Sequence, residues 1–155
     1  SNIVELMLYE KEKKVLLASN IGNGFIACHV DLEAQTKNGK QILNMGVTEK
    51  LSVCRPVEGD YVASIGDNRK LLIFPLDHLP QMSRGKGIRF QKFKQGHLSD
   101  ARVFKKTDGL TWTDPANRLR TEHNLLSLFV RVPFSTNRLC KRAYFSSLLY
   151  LAFNN

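Results

Sequence analysis

The sequence predicts an all-β fold: a propeller-like array of two to three blades over residues 1–120, followed by an atypical tail over 121–155. Three observations predict it. Short apolar runs are separated by turn residues, these runs recur with a period of 45 to 46 residues, and all 10 glycines lie before Leu110. A period of this size built from short strands is the mark of blades. Glycine supplies the positive-φ positions that tight turns need, so a stretch without it does not continue the pattern, although asparagine substitutes at some turns.

The elements follow in order. Residues 3–9 alternate weakly and read as a strand, and residues 10–14 as a charged turn. Val15-Leu16-Leu17-Ala18-Ser19 is a second strand, residues 20–24 an Asn/Gly turn, and Phe25-Ile26-Ala27-Cys28 a third strand. Asn38-Gly39 marks a tight turn. Strands are expected at 50–55, 61–65 and 70–74, separated by turns at 56–60 and 66–68. A further strand is expected at 88–94.

The repeat is explicit. A shift of 45 lays Ala18 and Ser19 on Ala63 and Ser64, and Asn23 on Asn68. After one insertion the shift is 46, and Asp31 falls on Asp77, Gln35 on Gln81, Gly39 on Gly85, Lys40 on Lys86 and Ile42 on Ile88. A third unit opens at Asp108, with a strand at 110–113, a turn at 114–117 and the start of a partner strand at Arg118-Leu119-Arg120. The tail has a single acidic residue, Glu122, and is dense in leucine, phenylalanine, serine and arginine. A helix covering a sheet edge, a disordered extension and the product of a reading-frame change all fit that composition. Residues 147–153 would be an aggregation hazard if exposed.

Composition narrows the function. Hydrophobic content of 43% suffices for a core and is too high for a disordered chain. Net charge is +9 with a pI near 9.7, which points to an anionic partner, most often nucleic acid. Between Asp67 and Lys106 ten cations face only Asp67, Asp77 and Asp100, so the surplus is clustered. The three cysteines show no CxxC spacing, and the four histidines no ligand spacing; this argues against a zinc site and fits a reducing cytosol. No signal peptide is evident, the chain starts at Ser1 as a cut-out piece would, and its longest apolar run, 143–153, is too short to span a bilayer. No nucleophile elbow or triad pattern is present.

The centre of the cationic stretch is Gln81-Met82-Ser83-Arg84-Gly85-Lys86-Gly87, read as a bend between the strands at 70–74 and 88–94. Its glycines allow positive φ and close approach of a backbone or a phosphate, while Arg84 and Lys86 project outward. Gln35-Thr36-Lys37-Asn38-Gly39-Lys40-Gln41 occupies the same place one blade earlier. Downstream, Arg89, Lys92 and Lys94 alternate with Ile88, Phe90 and Phe93. The cations read as phosphate-facing and the apolar members as core, with Gln91 sharing the face of Arg89.

Residues 14–120 resemble the C-terminal domain of the A subunit of bacterial DNA topoisomerase IV, the relative of gyrase A. The resemblance is carried by Lys14-Val15-Leu16-Leu17-Ala18-Ser19, by the segment 35–41, by 77–100 with its Leu79-Pro80-Gln81-Met82-Ser83-Arg84-Gly85-Lys86-Gly87, and by 107–120. It implies a β-pinwheel that bends duplex DNA around a basic rim and guides it for strand passage. It implies DNA contacts at Gln81, Arg84, Gly85, Lys86, Gly87, Arg89, Lys92 and Lys94, and at Lys37 and Lys40 one blade earlier. It implies no catalytic residue and no cofactor in this piece: ATP and Mg are used elsewhere in the whole enzyme. The cleaving tyrosine of the family follows an arginine, whereas Tyr9, Tyr61, Tyr144 and Tyr150 follow Leu, Asp, Ala and Leu. The implied partners are duplex DNA, the rest of the topoisomerase IV A subunit, and its ATPase B subunit, with no membrane, in the bacterial cytoplasm at the nucleoid. Arg84 stands where the gyrase form of the box has its first glycine, and Met82 and Ser83 replace basic positions, which implies looser guiding of DNA. The competing reading from another class is a propeller-type protein–protein interaction module.

Overall fold

The computed structural model describes residues 5–68, 71–113 and 116–124. Expectations for Arg69, Lys70, residues 114–115, the side chain of Trp112 and the tail beyond 124 lie outside the described residues. The strands are β1 (Lys14–Ser19), β2 (Asn23–Cys28), β3 (Leu51–Pro56), β4 (Tyr61–Gly66), β5 (Leu71–Pro75), β6 (Ile88–Arg89), β7 (Leu98–Phe104), β8 (Leu110–Thr113) and β9 (Leu119–Glu122). One helical turn, α1 (His29–Leu32), follows β2. Two short 3-10 turns lie at Leu76–His78 and Lys106–Asp108.

The strands form three antiparallel sheets, in the orders β3-β1-β2-β6, β5-β4-β7 and β8-β9. The repeat is therefore structural: β1 and β4 are the central strands, β2 and β5 their hairpin partners, and β3 and β7 their returning neighbours. Both central strands carry a register irregularity near their ends, at Ala18/Ser19 and at Ile65/Gly66. Such irregularities bend a strand and sharpen its twist.

The run Val15-Leu16-Leu17-Ala18 is apolar throughout because β1 is buried on both faces. Leu16 and Ala18 share a core with Ile26, Val53, Val62, Leu98 and Val103, which joins the first two blades. Val15 and Leu17 pack on the opposite face with Phe25, Ala27, Ile42 and Leu43. Full burial of a side chain such as Phe25 contributes about 2–3 kcal/mol. Between the blades, Ser52 Oγ donates to the Leu98 carbonyl at 3.1 Å and Leu98 N–H to the Asn20 carbonyl at 2.6 Å.

Three expectations are corrected, and one strand was not foreseen. Of the strand expected at 3–9, residues 3–4 lie outside the described residues, and residues 5–9 form no strand, with Leu6 and Leu8 exposed. The expected strand at 88–94 shrinks to Ile88–Arg89. β7 was hidden because Asp100 and Arg102 interrupt its apolar positions. Finally, the bend at residues 81–87 does not join neighbouring strands of one sheet. β5 pairs with β4, whereas β6 crosses to the first blade and pairs with β2, Asn23 opposite Arg89 and Gly24 opposite Ile88. The cause is local. A Cβ on Gly87, whose φ is +74°, would collide with the Gly24 carbonyl, so only glycine lets the chain lie down on β2.

Candidate nucleic-acid interface

The cationic loop 81–87 is sewn into the first blade along both of its sides. Ile26 N–H donates to the Pro80 carbonyl at 2.9 Å, and Met82 N–H returns a bond to the Ile26 carbonyl at 2.8 Å. On the other side, Gly85 N–H donates to the Ile42 carbonyl at 3.0 Å and Asn44 N–H to the Gly85 carbonyl at 2.8 Å. Leu43 and Gly85 thereby form a parallel bridge. The segment that follows the earlier cationic bend thus lies directly beside the later bend. Gln81 donates to Cys28 Sγ at 3.0 Å, so its side chain anchors the loop. Gly85 and Gly87 make room for protein backbone and the Met82 side chain rather than for an open cradle.

Arg84 and Lys86 are exposed on this loop, as are Lys37 and Lys40 on the earlier one. Lys40 Nζ donates to the Asp31 carbonyl at 2.6 Å, which closes the earlier loop. Arg89 Nε donates to Asn23 Oδ1 at 3.4 Å. Asn23 Nδ2 in turn donates to Glu49 Oε1 at 3.2 Å, and Ser19 Oγ to the same oxygen at 2.5 Å. Gly46 N–H donates to Glu49 Oε2 at 2.9 Å. Burial opposes the charge on Glu49, but the Gly46, Ser19 and Asn23 hydrogen bonds and the field of Lys86 hold its carboxyl below the usual carboxylate range.

Arg89, Lys92 and Lys94 are brought together. With Asn68, Phe93 and Gln95 they line an open cavity of about 680 Å³. Phe93 lines it, seated where a Cβ on Gly66 would collide with the ring. Phe90 stacks obliquely on Phe74 at 5.7 Å, and both it and Phe93 pack against the shared core, as the apolar reading of these positions requires. Gln91 does not share the face of Arg89: the strand ends at Arg89, and Gln91 is buried with its Oε1 accepting from Ser64 at 2.8 Å. Asn68 and Gln95 were not named from the sequence as site residues. The repeat held a signal for Asn68, since it is the second copy of Asn23.

Among the described residues no cluster of three or more His, Cys, Asp and Glu forms a metal-binding group. His29 is buried and accepts the Glu10 N–H at 3.1 Å through Nδ1. No helix among the described residues is long and apolar enough to cross a membrane.

No protein-family model matches the chain. It is 41% identical to the DNA topoisomerase 4 A subunit of Rickettsia bellii over 127 residues, which is 82% of this chain and 17% of that protein. It is 42% identical to the protein of the same name from Caulobacter vibrioides over 118 residues, 76% of this chain and 15% of that protein. The chain thus spans 17% or less of the length of these relatives. The fold is similar to that of the C-terminal domain of E. coli ParC, with a TM-score of 0.65 and 24% identity over 76% of this chain and 52% of that one. The gyrase A C-terminal domain is similar over 69% of this chain and 36% of its own, with a TM-score of 0.54 and 16% identity. By sequence, then, the chain belongs to the family of the DNA topoisomerase 4 A subunit, and its fold is the β-pinwheel of the ParC and gyrase A C-terminal domains.

Proposed function

We propose that this chain is the DNA-binding and DNA-bending module of a type II topoisomerase, holding a duplex on its cationic rim during strand passage without cutting it. The observation that supports this reading is the cavity shared by Arg89, Lys92 and Lys94, next to the exposed Arg84 and Lys86 on a loop fixed between backbone partners. A rim of this kind neutralises phosphates and reads little sequence. Lys37 and Lys40 extend the same device to the preceding loop. Cleavage falls to the rest of the A subunit, ATP hydrolysis to the B subunit, with Mg and ATP bound there.

The test is duplex binding by mobility shift across a salt series. Wild type is compared with Arg84→Ala/Lys86→Ala and with Lys92→Ala/Lys94→Ala. Each lost phosphate contact should reduce the slope of log affinity against log salt by about 1. Unchanged slopes in both variants would remove the role assigned to these cations. Absence of salt-dependent duplex binding in wild type would favour a protein-interaction module instead.

A further inference from the structure

The turn between Asn44 and Lys50 has no part in the proposed phosphate contacts, yet it presents the most exposed large hydrophobic among the described residues. Val47 is fully solvent-accessible, with Met45 partly exposed beside it. An isolated apolar residue on a slack loop would carry no meaning. This turn is not slack. Glu49 N–H donates to the Gly46 carbonyl at 3.1 Å, and the Gly46 N–H is held by the buried Glu49 carboxylate. Its leading end is tied to the box by the Asn44–Gly85 bond. Its trailing end is tied to the β1–β2 turn: Lys50 N–H donates to Asn20 Oδ1, and Asn20 N–H to the Lys50 carbonyl, both at 2.9 Å. A buried anionic anchor thus holds an apolar tip out in water.

The neighbourhood of the tip is cationic. Exposed Lys50 closes the turn, and its leading end is bonded to Gly85, which lies between the exposed Arg84 and Lys86. An apolar point framed by cations complements a duplex groove: phosphates on either side meet the cations while the point enters between them. Apolar wedges of this kind unstack a base step and bend the duplex. We infer that Val47 is such a wedge, entering the minor groove of the duplex held by the rim and setting the bend. The inference rests on the DNA-binding reading above.

Its test uses the full chain and a short duplex carrying donor and acceptor dyes at its two ends. Wild type, Val47→Ser and Val47→Leu are compared with the Arg84→Ala/Lys86→Ala variant. Val47→Ser should weaken binding about three- to tenfold, the loss of one apolar contact of this size. It should also lower the bend-dependent energy transfer at saturation and leave the salt slope as in wild type. Val47→Leu should keep the bend, and thermal melts should show both variants folded, since the side chain is fully exposed. Wild-type binding without bending, or a Val47→Ser variant matching wild type in bend and affinity, overturns the wedge and leaves the rim reading intact. Failure of wild type to bind duplex in a salt-dependent way overturns both.

Discussion

Replacing Asp100 by asparagine should abolish a pH dependence of stability that the inter-blade seam builds in. Asp100 lies on β7, fully buried, with its Oδ1 accepting the Ala101 N–H at 2.7 Å and standing 3.9 Å from Arg55 Nε on β3. Its Oδ2 finds no hydrogen-bond donor among the described residues, and neither does Arg102 Nη1 an acceptor. Burial pushes the Asp100 carboxyl up from 3.8 to about 7, against the smaller opposing effects of Arg55, the Ala101 N–H and Arg102. A raised carboxylate pKa means that the folded state holds a proton the unfolded chain has released. Stability therefore falls as pH rises from about 4 to about 7, and levels off above, where both states are ionised.

The size follows from those two values. At pH 5 the folded state gains about 3 kcal/mol from the retained proton, and at pH 8 almost nothing. Asp100→Asn keeps the acceptor for Ala101 and never ionises. The wild type should thus lose about 3 kcal/mol relative to Asp100→Asn between pH 5 and pH 8. Urea unfolding followed by circular dichroism at the two pH values measures the difference of differences, in which other titrating groups cancel. Parallel pH profiles for the two proteins would refute the reasoning and show that Arg55 neutralises the carboxylate across the seam.

Three further predictions concern how the rim is held. Glu49→Ala strips the acceptor from Ser19, Asn23 and Gly46 and should cost about 2–3 kcal/mol at neutral pH by urea unfolding. Because the folded Glu49 titrates below its unfolded value, this contribution is lost as pH falls through the folded pKa, and the gap to wild type should narrow in acid. Gly87→Ala should cost about 3 kcal/mol or more, since it adds a clash with the Gly24 carbonyl to an unfavourable positive φ. Gly39→Ala, with φ +79° and open space around it, should cost only about 1 kcal/mol in the same assay.

How far the sequence was legible depends on where the determining contact lay. β1, β2 and β4 were readable because their apolar runs are buried, and β5, only half-buried, because its apolar run pairs with β4 across one turn. β7 was not, because buried Asp100 and half-buried Arg102 belong to a charged seam that looks like surface in one dimension. The alternation at 88–94 suggested a long strand, but Phe90 and Phe93 are apolar because they pack against the shared core, not because a ladder continues. The partner of β6 lies in the preceding blade, and no local pattern announces it. The cations were legible as charge; their convergence at Arg89, Lys92 and Lys94 required the crossover.

That crossover separates two roles that the box motif joins in one heptapeptide. Its glycines serve the stitch between blades, and its cations serve the surface. The stitch sets the cations: Arg89 sits on β6 itself, and Lys86 precedes Gly87, so both are placed by the approach of Gly87 to Gly24. A glycine change should therefore lower stability and duplex affinity together, whereas Lys92→Ala/Lys94→Ala should lower affinity and leave the urea midpoint unmoved. If Gly87→Ala unfolded earlier in urea yet bound duplex with the wild-type salt slope, the rim would not need the stitch. The glycines would then be a requirement of blade packing alone.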